Sequence, residues 1–96
     1  MTLEQFLQTF HRGESNAIKS GELEKIFNCS GGEIRKQVNL LRTSGIPICS
    51  TGKGYFYAST MKEAKDTLNQ LTSRINKISA ARKGILTAMK RGELLG

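Results

Sequence analysis

Apolar positions recur along this chain with the period of a helix in four places and with the period of a strand in one. Between Thr2 and Arg12, Leu3, Phe6, Leu7 and Phe10 fall on one helical face, and Gly13 can end that helix. A loop at Gly13-Glu14-Ser15-Asn16 leads to Ala17-Ile18-Lys19, long enough for a short strand. Ser20 is the expected N-cap of a second helix, Gly21–Phe27, with Leu23, Ile26 and Phe27 inward. Asn28-Cys29-Ser30 reads as a turn, and Ser30 with Glu33 forms an S-x-x-E capping box for a third helix running to about Ser44.

In that third helix Val38 and Leu41 lie within about 40° of Ile34, so these three define the buried stripe. Gly32, Lys36, Asn39 and Thr43 lie opposite, and Arg35 and Arg42 share a flank. Gly45 can take the left-handed conformation that ends a helix. Two short β-rich runs, Ile46–Cys49 and Tyr55–Ala58, then flank Thr51-Gly52-Lys53-Gly54, whose glycines suit a tight hairpin with a cationic tip. Pro47 cannot donate to a ladder, which marks the first run as an edge or unpaired at that point.

From the T-x-x-E capping box Thr60-Met61-Lys62-Glu63, a proline-free pattern continues towards the end of the chain. Met61, Ala64, Leu68, Leu71, Ile75, Ile78, Arg82, Ile85 and Met89 are separated alternately by three and four residues, a heptad seam interrupted by Arg82. Thirty residues of helix would be about 45 Å long. A body of about 60 residues is only about 27 Å across, so it cannot cover the whole stripe. A second copy of the chain is the simplest cover, which makes Leu68, Leu71, Ile75, Ile78, Ile85 and Met89 the candidate dimerisation residues. The alternative is a helix that breaks at Gly84 and folds back. The organisation expected is therefore a body at 1–59 and a dimerising helix at 60–92.

Charge sharpens this picture. The 96 residues carry a formal net charge of +7, which favours a polyanionic partner. Residues 1–60 have seven basic and five acidic side chains, whereas residues 61–96 have eight and three. A helix face of Arg, Lys and Asn without an acidic member is what a DNA major groove accepts, Asn pairing with adenine and Arg or Lys with guanine. Gly31-Gly32 at the start of that helix would let backbone approach a phosphate, or would simply be a first turn compensated by Glu33.

The remaining inventory excludes more than it offers. Cys29 and Cys49 have no CxxC spacing and only His11 for company, so reduced thiols are expected, with no metal site and no disulfide framework. No apolar run reaches the length of a membrane span, and the N-terminus lacks a signal-peptide pattern, so the chain is expected to be soluble and cytoplasmic. His11 has no catalytic partner that spacing can supply, and Gly52-Lys53-Gly54 is too short for a phosphate-cradling loop. No enzymatic activity and no cofactor are expected.

From Ala17 to Tyr57 the chain resembles the winged-helix domains of the biotin-repressor type and the small bacterial and phage regulators built on them. The likeness lies in Ser20-Gly21-Glu22-Leu23, in the Ile34/Val38/Leu41 spacing, and in Leu41-Arg42-Thr43-Ser44-Gly45-Ile46 leading to Gly52-Lys53-Gly54-Tyr55. The fold class expected is mainly α with a small β-hairpin, a winged helix–turn–helix followed by a long amphipathic helix. The resemblance implies that residues 31–44 form the recognition helix and 51–54 the wing. Together with the charged face of that helix, this makes duplex DNA the expected partner, with Arg35, Lys36 and Asn39 reading bases and Ser30, Gly31, Gly32, Arg42 and Lys53 near phosphates. Transcriptional regulation, a role in DNA packaging, replication or recombination, and a protein-interaction module on a winged-helix scaffold all remain open at this point.

Overall fold

The computed structural model describes residues 1–92 and 94–96. Helix α1 spans Leu3–Phe10 and starts with a complete capping box: Thr2 Oγ1 accepts from the Gln5 amide at 3.2 Å, and Gln5 Oε1 accepts from the Thr2 amide at 3.0 Å. Leu3 and Leu7 enter the core. Phe6 sits half-buried, edge-on to Phe27 with ring centroids 5.5 Å apart. Phe10, expected on the same inner face, is largely exposed, although its ring still meets Phe6 at 5.5 Å; the His11 ring also lies against Phe6, at 5.0 Å.

Helix α2, Ser20–Phe27, begins one residue earlier than its cap predicted. Lys19 is the flanking residue and Ser20 is already helical. The cause is tertiary: Ile18 exchanges two backbone hydrogen bonds with Tyr55, at 2.9 and 2.8 Å, so the switch from extended to helical backbone falls at Lys19. Leu23 is fully buried and Phe27 half-buried, but Ile26 faces solvent, which narrows the inner face of this short helix.

Helix α3, Gly31–Thr43, buries Ile34 and Val38 and packs Leu41 against them. Ser30 Oγ accepts from the Glu33 amide at 3.1 Å, one half of the expected reciprocal cap. Glu33 turns along its own helix to accept from Gln37 Nε2 at 3.4 Å. The far end closes as a Schellman motif, with Ile46 N–H donating to Leu41 O and Gly45 N–H to Arg42 O, both at 3.0 Å, around Gly45 at φ +87°.

Strands β1 (Ile48–Thr51) and β2 (Gly54–Tyr57) pair antiparallel across Gly52-Lys53, with Ile48 opposite Tyr57 and Cys49 opposite Phe56. The first strand starts only after Pro47. The stretch from His11 to Ile18 pairs with the other edge of β2, through Arg12–Tyr57 and Ile18–Tyr55. Both faces of the hairpin are covered. Ile48, Tyr55 and Tyr57 lie on the helical core, while Cys49 and Phe56, each 1% exposed, point the other way under the last helix. Burial there pushes the Cys49 thiol above its ordinary pKa, so it packs as an inert apolar group.

Helix α4 spans Met61–Lys90 without a break at Gly84. Thr60 Oγ1 caps it by accepting from the Glu63 amide at 3.2 Å. The Glu63 carboxylate accepts from the amides of Ser59 (2.8 Å) and Glu14 (2.9 Å) and from Ser59 Oγ (2.9 Å). Thr67 is buried against β1, and beyond Leu71 the helix leaves the body. The result is a winged helix–turn–helix with a projecting helix, 55 × 31 × 23 Å overall.

Candidate nucleic-acid interface

The side of α3 opposite its buried stripe forms the floor of an open groove of about 500 Å³. Gly32, Arg35, Lys36 and Asn39 line it from α3, Ser50 and Tyr55 from the hairpin, and Arg74 from α4. Arg35, Lys36, Asn39 and Arg74 are all exposed, and no carboxylate among the described residues lines the groove. Ile34 and Val38 anchor this helix from behind, so the polar face is presented by a rigid element.

Arg42 belongs to the same groove but is committed to holding it together. Its Nε donates to Ile48 O at 2.8 Å and its Nη2 to Ser50 Oγ at 3.2 Å, which fastens the end of α3 to β1. Burial lowers its pKa, yet an arginine stays cationic under any working condition. The guanidinium therefore adds positive potential to the groove while fixing the angle between recognition helix and wing.

Lys53 stands exposed at the hairpin loop, where its backbone N–H donates to Thr51 Oγ1 at 3.1 Å. Lys19 joins it there, its Nζ donating to Gly52 O. Two cations thus sit at the wing where sequence spacing located one. At the start of α3 the three expected residues part company. Gly32 opens into the groove, Gly31 lies beside the Glu24 carboxylate, and the Ser30 hydroxyl oxygen accepts the Glu33 amide as a cap. The two ion pairs among the described residues, Lys25–Glu22 and Lys62–Asp66, draw on none of the groove's cations.

A three-helix body that presents the polar face of its third helix beside a hairpin is the geometry of major-groove readers. Residues 2–56 match the protein family described as HTH domain. The chain belongs to the HTH domain family. No curated protein and no solved structure gives a further match. Membership supports DNA binding. The match ends inside β2, so Arg74 reaches the groove from outside the HTH domain. Nothing in the local sequence marks Arg74 for this place; it follows from α4 crossing β1. No three-residue cluster of metal-ligating side chains occurs among the described residues, and no helix among them is long and apolar enough to cross a membrane.

Proposed function

We propose that this HTH protein binds double-stranded DNA in a sequence-specific manner as a homodimer, and acts as a small transcriptional regulator of the bacterial or phage type. Arg35, Lys36 and Asn39 contact base edges, and Lys53, Lys19, Arg74 and the backbone at Gly32 contact phosphates. The observation that carries this reading is the shared groove: a guanidinium, an ammonium and a carboxamide exposed on one helix face, with no acid from the described residues among its walls. A protein-interaction module using α3 as its docking face would call for apolar side chains there. The apolar stripe lies instead on α4, where Leu68, Ile75, Ile78, Ile85 and Met89 are exposed, and this supports self-association through that helix rather than through the groove.

Binding to random-sequence duplexes at several salt concentrations, followed by selection of preferred sites, tests the reading. The logarithm of affinity should fall linearly with the logarithm of salt. Asn39→Ala should relax preference at one or two base pairs, by about 1–3 kcal/mol for each lost bidentate contact. Absence of binding at low salt would remove the DNA reading. An unchanged preference in Asn39→Ala would remove α3 as the reader.

A further inference from the structure

The stripe on α4 continues into a groove that this chain leaves open. Beside the first half of the helix, Ile46 and Pro47 face Ala64, Leu68 and Leu71 across a largely apolar space of about 240 Å³. Further along the same helix Ile75, Ile78 and Ile85 are each close to two-thirds exposed. Seam and groove form one surface, and any partner helix lying along the seam must also pass over the groove.

Charge decides which way that partner runs. Residues 61–73 hold two lysines and two acids, whereas Arg74 to Arg91 hold six basic residues and no acid. A parallel, in-register pair sets the basic half against its own copy and stacks Arg82 on Arg82 in the seam, a like-charge contact at a buried level. An antiparallel pair sets the basic half of each helix mainly against the neutral half of the other, and also opposes the two helix dipoles. With the two-fold axis between Asn76 and Lys77, Leu68 meets the partner's Ile85, Ile75 meets the partner's Ile78, and Ala64 meets the partner's Met89. Arg82 then lies opposite Leu71 instead of its own copy, and its long stem can carry the charge outward.

We propose, building on the dimeric reading above, that α4 pairs antiparallel with the α4 of a second copy, and that the partner's Ile85 and Met89 close the groove between Ile46-Pro47 and Ala64-Leu68. Methionine suits this place, because its flexible thioether fills irregular apolar space. The interaction surface is thus the whole seam together with the segment linking α3 to β1, and each body carries part of the other's dimer contact.

Cysteine pairing tests the orientation independently of DNA. In a Cys29→Ser background, with Cys49 left in its buried place, Leu68→Cys and Ile85→Cys proteins are prepared singly and mixed under mild oxidation. In the antiparallel pair the two Leu68 positions are about 25 Å apart, far beyond the roughly 7 Å that a disulfide can span, so the single variants stay uncrosslinked and only the mixture forms a covalent dimer. Self-crosslinking of each single variant would establish the parallel pair and overturn the proposal. A protein that sediments as a dimer but crosslinks in neither experiment would overturn it as well. A monomeric parent would remove the dimeric reading along with it, while leaving DNA binding by the monomer to be measured separately. As a second measure, Met89→Asp should raise the dimer dissociation constant about a hundredfold by burying a charge in the groove. A parallel pair, with Met89 at its fraying end, would hardly respond, and that result counts against the proposal.

Discussion

Gly54 shows how one backbone position holds the wing in place. Its φ is +122°, and a Cβ there would run into the carbonyl oxygen of Ile18. That carbonyl accepts the Tyr55 N–H, so any side chain at Gly54 must push the 11–18 stretch off β2. Gly54→Ala should therefore cost more than about 2 kcal/mol, whereas Gly52→Ala, with open space around it, should stay within about 0.5 kcal/mol. Denaturant midpoints of the two variants check this, and equal midpoints would refute it. Two arginines of the groove separate in the same spirit. Arg42 makes hydrogen bonds to Ile48 O and Ser50 Oγ, so Arg42→Ala should lower stability by about 1–3 kcal/mol. Arg74, exposed on the rim, should leave stability unchanged on replacement by alanine but weaken all duplexes alike and lower the salt slope by about one unit. An Arg74→Ala protein with an unaltered salt slope would place DNA elsewhere than in this groove.

Elements are joined to one another by side chains as much as by core packing, and Glu63 is the clearest case. Its carboxylate collects the amides of Glu14 and Ser59 and the Ser59 hydroxyl, tying the start of α4 to the loop after α1. The Glu14 amide, then that of Ser59, does most to hold its pKa below the ordinary 4.5. A carboxylate whose folded pKa is depressed adds stability above its unfolded value and loses it as pH falls through the folded one. The parent should thus lose stability below about pH 4.5 more steeply than Glu63→Gln, which carries no such titration. Parallel curves for the two proteins from neutral to acid pH would refute this. The same residue shows where sequence reading stops. Thr60-Met61-Lys62-Glu63 announces the start of α4, and Leu41 to Gly45 announces the end of α3, because caps and left-handed glycines act over four or five residues. The bond from Glu14 to Glu63, the arrival of Lys19 at the wing and the entry of Arg74 into the groove join residues about 20 to 50 positions apart, and no local period encodes them. Of the candidate site, Arg35, Lys36 and Asn39 were legible because one helix carries all three, whereas the structural role of Arg42 needed the position of β1.

The whole molecule divides its tasks between a body that presents α3 and a helix that extends well past it. The body buries Leu7, Leu23, Ile34, Val38 and Ile48 on its own, while the outer part of α4 leaves its isoleucines in solvent. The proposed association and DNA contact should therefore be separable by mutation. Ile78 and Ile85 lie past Arg74, so Ile78→Asp with Ile85→Asp should abolish the dimer and spare the groove. Circular dichroism should show the body still folded, and sedimentation should show a monomer. A two-fold dimer requires two related half-sites, and the second binding event gains from being tethered to the first. The monomeric variant should then bind an isolated half-site as the parent does, but lose about 10²–10⁴-fold on a site carrying both halves. If the variant is monomeric and still binds the double site as tightly as the parent, the two bodies do not act on DNA together, and α4 serves an association unrelated to recognition. If the parent itself sediments as a monomer at high concentration, the seam does not join two copies, and recognition rests on a single α3.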